Sequence, residues 1–60
     1  MKTFYVIEWT PYYLINIDGG WPTWRTSIEY AIKFKTEKEA LDYQKEHEIK
    51  GEVIEHAYED

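Results

Sequence analysis

The chain has 60 residues, a formal net charge of −5 at pH 7 and no cysteine. A chain this short forms one domain, so we expect a single domain over residues 1–60 in a reducing, intracellular compartment, without disulfides or cysteine-bound zinc. The negative charge disfavours direct contact with nucleic acid and with anionic membranes, because both require a basic surface, and no apolar run is long enough to cross a bilayer.

The first elements predicted along the chain are two antiparallel strands. Residues 3–9 and 12–17 are rich in β-branched and aromatic side chains, which favour strands. Thr10 and Pro11 separate them by a connection short enough for a hairpin.

A turn and a loop are predicted next. Asp18, Gly19 and Gly20 are typical turn residues. Pro22 then favours an extended or turned backbone, so we expect residues 21–24 to form a loop.

Two helix starts are predicted by the pattern Thr-x-x-Glu at residues 26–29 and 36–39, which satisfies the free amides of a first helical turn. The first should begin a single turn, because residues 32–35 then alternate like a short strand. The second should begin the main helix, over residues 37–48.

The chain ends with a predicted strand over residues 52–58, after Gly51 has stopped the helix. Ala40 and Tyr43 share the helix face that would pack on the sheet. The predicted fold class is therefore α+β, with a small, mainly antiparallel sheet of three to four strands and one main helix packed on one face.

Both faces of the predicted hairpin are apolar. Val6 and Ile7 are neighbours in the first strand, as are Leu14 and Ile15 in the second, and neighbouring residues of a strand point to opposite faces. One helix covers one face. The loop at residues 21–24, a second copy of the chain or a foreign protein would have to cover the other.

The aromatic first half predicts a surface for a partner protein. All three tryptophans lie between residues 9 and 24, and Trp, Tyr and Arg are the residues most enriched in interface hot spots. The predicted partner-binding residues are Tyr5, Ile7, Trp9, Tyr13, Ile15, Trp21, Trp24 and Arg25.

Residues 37–60 carry nine of the twelve acidic side chains, which predicts an alternative site. Their carboxylates could imitate the phosphates of a nucleic acid and block an enzyme that binds DNA or RNA. The simpler interpretation is a solvated helix face. The acidic surface would consist of Glu39, Asp42, Glu46, Glu52 and Glu55.

No catalytic, cofactor-binding or metal-binding pattern is found in the sequence. The lone serine, Ser27, lies in a helix-start pattern, and the glycine pair Gly19-Gly20 fits a turn. His47 and His56 have glutamate neighbours, yet a structural role in helix and strand is the favoured interpretation. We therefore expect a protein that is not an enzyme and has neither cofactor nor metal.

The whole chain resembles small proteins encoded by phages and prophages of low-GC Gram-positive bacteria. The shared residues are Tyr5-Val6-Ile7, Tyr13-Leu14, Gly19-Gly20-Trp21 and the run Ala-x-x-Phe-x-Thr-x-x-Glu-Ala at residues 31–40. The resemblance implies a phage protein in the cytoplasm of a bacterial host, which inhibits or modulates a host or defence protein by binding to it. A self-associating structural protein, with the aromatic face closing a homodimer, is a further alternative.

Overall fold

The structure, a computed structural model, describes residues 2–58. This part of the chain forms a four-stranded antiparallel sheet, a single turn of 3-10 helix and one α-helix. The elements are β1 (Lys2–Trp9), β2 (Tyr12–Asp18), β3 (Trp21–Arg25), the 3-10 turn (Ile28–Tyr30), α1 (Glu37–Glu46) and β4 (Glu52–Tyr58). The strand order is β3-β2-β1-β4. The predicted α+β fold, with one helix on a small antiparallel sheet, is confirmed.

The most extensive strand pairing in the sheet joins β1 to the edge strand β4. These strands pair along their whole length, from Lys2 opposite Tyr58 to Glu8 opposite Glu52. The predicted strands at residues 3–9 and 52–58 are therefore correct to within one residue. β1 and β2 pair beside their short turn, which contains a cis Thr10–Pro11 peptide.

The prediction of a loop at residues 21–24 is wrong, because this segment is strand β3. Gly19 and Gly20 both have positive φ, 59° and 86°, and such a pair forms the tight turn that joins antiparallel strands. The chain therefore returns along β2, with Trp24 opposite Leu14. Pro22 is compatible with this strand because β3 lies at the edge of the sheet.

β1 and β2 diverge away from their turn, and the segment before the helix lies between them. Tyr5 and Phe34 exchange two backbone hydrogen bonds of 2.8 and 2.9 Å, and the Ile32 N–H donates to the carbonyl oxygen of Leu14 at 3.0 Å. The strand predicted at residues 32–35 is thus reduced to an isolated bridge. Ile32 bonds to β2 whereas Phe34 bonds to β1, so no continuous ladder of hydrogen bonds forms with either strand.

Helix α1 begins as predicted. Thr36 is the N-cap, and its Oγ1 accepts a hydrogen bond of 3.1 Å from the Glu39 N–H. The helix ends at Glu46, before the predicted residue 48, because Glu48 adopts a positive φ of 52° and turns the chain toward the sheet. This turn allows Ile49 to enter the core.

The main core lies between the sheet and the helix. Ile7, Leu14 and Ile49 are buried at its centre. The half-buried side chains that pack against them are Ile17, Trp24, Ile32, Phe34, Tyr43 and Val53. The helix contacts chiefly β1 and β4. On the side of the sheet that faces the helix, β2 and β3 therefore have to be covered by other parts of the chain.

The second face of the sheet is covered in part by the 3-10 turn. The guanidinium carbon of Arg25 lies 4.9 Å from the ring centroid of Tyr30 in this turn, and Arg25 is paired with Tyr13 on the second face. Ser27, rather than Thr26, caps the turn by accepting a hydrogen bond from the Glu29 N–H. The segment at residues 21–24 does not cover this face, since it is part of the sheet.

Candidate functional site

A groove lies beside helix α1, where the helix does not extend over β2 and β3. One wall is β3 and the other is the loop that follows the helix. The groove has a volume of about 250 Å³. We call it the tryptophan groove; its lining residues are Trp9, Trp21, Pro22, Trp24, Glu48, Ile49 and Lys50.

The indole rings of the groove are unusually exposed for a small domain. Trp21 is 77% exposed and Trp9 is 47% exposed, and the exposed ring of Tyr12 lies 6.5 Å from that of Trp9. Trp24 is half-buried and packs against the core. Because large aromatic rings gain much from burial, the exposed rings of Trp9 and Trp21 would be stabilised if another surface covered them.

The pairing of the strands places the rings of Trp9 and Trp24 on the side of the sheet that faces the groove. Trp9 lies opposite Tyr12, and Trp24 lies opposite Leu14, a core residue on the helix side of the sheet. A bulge in β2 between Leu14 and Asn16 then shifts the alternation. Ile17 consequently packs against the core on the same side as Leu14, although strict alternation predicts the opposite face.

The loop that forms the second wall is held in place by three features. The backbone N–H of Ile49 donates to the carbonyl oxygen of Gln44 at 3.0 Å, and the side-chain Nε2 of Gln44 donates to the carbonyl oxygen of Gly51 at 2.8 Å. Gly51 has a φ of +106°, and a Cβ at this position would collide with the backbone oxygen of Glu8. A glycine is thus required where the loop meets β1.

The groove has charged groups at its rim. The Lys50 Nζ lies 5.5 Å from the ring centroid of Trp9, a cation–π contact. Glu48 lines the groove itself. Trp9 also lines a second cavity of about 400 Å³, together with the paired carboxylates Glu8 and Glu52. The lining of the groove thus contains one charge of each sign, Glu48 and Lys50.

Two tyrosine hydroxyls donate to glutamates on the sheet. The hydroxyl of Tyr5 donates to Glu55 Oε2 at 2.9 Å, and this hydrogen bond is the main cause that raises the pKa of Tyr5 above 10.0. A hydrogen bond to Glu8 is likewise the main cause that raises the pKa of Tyr13. Glu8 also accepts a hydrogen bond of 3.2 Å from Thr10 Oγ1. These contacts orient the carboxylates.

The predicted partner-binding residues do not all lie on one surface. Trp9, Trp21 and Trp24 meet at the groove, but Ile7 is 1% exposed and lies in the core. Because Trp9 pairs with Tyr12, the next residue, Tyr13, faces the opposite side of the sheet. Arg25 is on that side too, paired with Tyr13; Tyr5 and Ile15 are half-buried.

Several groove residues were not among the predicted contacts. Pro22, Glu48, Ile49 and Lys50 line the groove, and Tyr12 lies beside it. Their proximity depends on how the loop after α1 packs against β3. No short-range pattern in the sequence predicts that packing.

The predicted acidic surface is divided among different parts of the fold. Glu39, Asp42 and Glu46 are exposed on helix α1. Glu52 pairs with Glu8 across the strands, whereas Glu55 accepts the hydrogen bond from Tyr5. The five carboxylates thus do not follow one continuous row.

The histidines have aromatic partners. The ring of His47 lies 4.4 Å from that of Tyr43, and the ring of His56 stacks on that of Phe4 at 5.7 Å. Among residues 2–58, no group of three or more His, Cys, Asp or Glu side chains is arranged to hold a metal ion. Nor does the described part of the chain contain a helix long and apolar enough to cross a bilayer.

Comparison of the chain with protein-family models, with curated proteins and with solved structures finds no match. The resemblance to phage proteins therefore stays a prediction based on the residues that carry it.

Proposed function

We propose that this protein is a non-enzymatic binding protein that attaches to a bacterial protein through the tryptophan groove and thereby inhibits or modulates it. The observation that carries the proposal is the exposure of Trp21, an indole with 77% of its surface open to solvent. Tryptophan is the residue type most enriched in interface hot spots, where its ring is buried by the partner.

The groove has the properties of a preformed contact surface. Its walls are a sheet strand and a loop held by the buried side chain of Ile49 and by the glycine at position 51. A partner that binds to such walls orders few additional side chains, so little of the binding free energy is lost as entropy. Trp9 and Trp21 would supply the buried rings.

The size of the protein is compatible with this mode of action. A standard interface takes about 800 Å² from each partner. That is roughly a sixth of the 4603 Å² surface of the described chain. A bound partner would therefore cover the groove and its surroundings, and the protein would act by occupying a surface of its target.

The proposed biological setting is the one that the resemblance to phage proteins implies. A phage-encoded protein of this kind would work in the cytoplasm of its bacterial host, and its target would be a host or defence protein. No bond is made or broken in this mechanism. Inhibition requires only that the occupied surface of the target be one that the target needs.

The test compares two tagged variants in affinity capture from a low-GC Gram-positive lysate. Trp21→Ala removes the exposed ring of the groove, and Tyr30→Ala is the matched control because Tyr30 is 57% exposed on the other side of the sheet. We expect one bacterial protein to be retained by the wild type and by Tyr30→Ala but not by Trp21→Ala. Equal retention by all three would refute the proposal.

A further inference from the structure

We infer that the occupant of the tryptophan groove is an extended, proline-containing segment of the partner that carries positive charge. This inference rests on the proposed function, since it specifies the chemistry of the partner at the same site.

The edge strand does not favour a partner that adds a β-strand. Such a partner needs an uninterrupted row of backbone donors and acceptors. Pro22 lies within the five-residue strand β3 and has no N–H to donate. Recognition at this edge therefore falls to side chains rather than to the backbone.

The side chains of the groove suit a polyproline II segment. Trp9, Trp21 and Trp24 contribute indole rings, and Pro22 contributes a further apolar ring. A polyproline II segment needs no backbone ladder, because its own backbone has no internal hydrogen bonds, and it loses little entropy on binding. Aromatic-lined grooves are the surfaces on which such segments dock.

The charge of the whole chain favours a basic partner. The groove lining itself is balanced, with Glu48 and Lys50, and the carboxylates of Glu8 and Glu52 belong to the opposite side of the sheet, where Glu8 accepts a hydrogen bond from Tyr13. The whole chain has a net charge of −5. This field attracts a basic segment and repels an acidic one, since complementary potentials steer association and like charges oppose it.

Lys50 marks the position that a partner's cation would take. Its Nζ lies 5.5 Å from the centroid of the Trp9 ring, so this indole face already holds a positive group. Lys50 is exposed, and its side chain can move away when an arginine or lysine of the partner arrives. Removal of its charge should therefore strengthen the binding of a basic segment.

Isothermal titration calorimetry with three synthetic peptides of equal length tests the inference. The peptides alternate arginine with proline, glutamate with proline, and arginine with alanine. We expect the arginine–proline peptide to bind about tenfold more tightly than either of the others, because it alone combines the cation with the polyproline II backbone. Trp21→Ala should abolish the binding, Tyr30→Ala should leave it unchanged, and Lys50→Gln should strengthen it about threefold.

Equal binding of the glutamate–proline and arginine–proline peptides would overturn the inference, and so would the absence of binding to all three. The same holds if sedimentation shows that a second copy of the chain closes the groove. The proposed function is tested separately, since a bacterial protein lost only from Trp21→Ala would still support it. In that case the groove would bind a partner of different chemistry.

Discussion

The ring of Trp9 meets the ring of Trp24 edge to face, with centroids 5.6 Å apart and planes inclined by 62°. This contact joins the end of β1 to the edge strand β3. Trp24 in turn packs against the buried cluster of Ile7, Leu14 and Ile49. The groove is therefore connected to the core through one indole, while Trp21 extends from β3 into solvent.

The first prediction separates the structural tryptophan from the exposed one. Trp24→Ala should lower the free energy of unfolding by about 2 kcal/mol, because it removes a half-buried ring from the core. Trp21→Ala should change it by less than about 0.5 kcal/mol, as for an exposed surface residue. Urea denaturation followed by circular dichroism measures both. Equal losses of stability would show that Trp21 is also part of the core.

The second prediction concerns Gly51. Gly51→Ala should lower the free energy of unfolding by more than about 2 kcal/mol, because its positive φ disfavours a side chain and the new Cβ collides with the Glu8 carbonyl oxygen. Gly19→Ala is the matched control. Gly19 also has a positive φ, of 59°, but no atom lies within 4 Å of the added Cβ, so the expected loss is about 1 kcal/mol.

Thermal unfolding of the two glycine variants checks this difference. Similar midpoints would mean that the backbone near Glu8 moves to admit the new methyl group. Binding of the arginine–proline peptide gives a second measurement on Gly51→Ala. Displacement of the loop should weaken binding in the groove, since Glu48, Ile49 and Lys50 form one of its walls.

Local signals in the sequence were sufficient for most of the fold. The Thr36 cap, the apolar face of the helix and the strands at either end of the chain depend on neighbouring residues, and each was predicted within a few positions. Strand β3 was not predicted, because Pro22 argues locally for a loop. Its strand conformation comes from pairing with β2, which follows from the turn at Gly19 and Gly20.

The groove was harder to predict than the fold. The concentration of tryptophans between residues 9 and 24 indicated the three rings that line it. Which side of the sheet each ring faces depends on the register of Trp9 with Tyr12, which alternation along one strand does not determine. The contact of Lys50 with Trp9 joins distant parts of the chain, and it exists only because the loop after α1 packs against β1.

The third prediction is a loss of stability at alkaline pH. The pKa of Tyr5 is raised above 10.0, first by its hydrogen bond to Glu55, and that of Tyr13 is raised first by its hydrogen bond to Glu8. A raised pKa in the folded state means that the stabilisation is fully present below the unfolded pKa. It is lost as the pH rises through the folded pKa. We therefore expect the free energy of unfolding to decrease above pH 10.0.

Urea denaturation over an alkaline pH series measures this decrease, and Tyr5→Phe provides the comparison. Without the Tyr5 hydroxyl, the decrease should be smaller, because one of the two donors is gone. The absorbance of tyrosinate should also show that Tyr5→Phe lacks a tyrosine hydroxyl with a raised pKa. An identical pH dependence in the wild type and in Tyr5→Phe would contradict the role of the hydrogen bond to Glu55.

The fourth prediction distinguishes the groove from the acidic helix face as the contact surface. The triple variant Glu39→Gln, Asp42→Asn, Glu46→Gln removes the exposed carboxylates of α1, none of which lines the groove. Binding of the captured bacterial protein should then change by less than about threefold, because exposed charges outside a contact act weakly through screened solvent. Trp21→Ala should abolish the same binding.

The opposite result would identify the acidic helix face as the site. In that case the triple variant loses the partner, Trp21→Ala retains it, and binding falls steeply with salt. The carboxylates of the helix would then imitate a nucleic acid, and the tryptophan groove would not be the site.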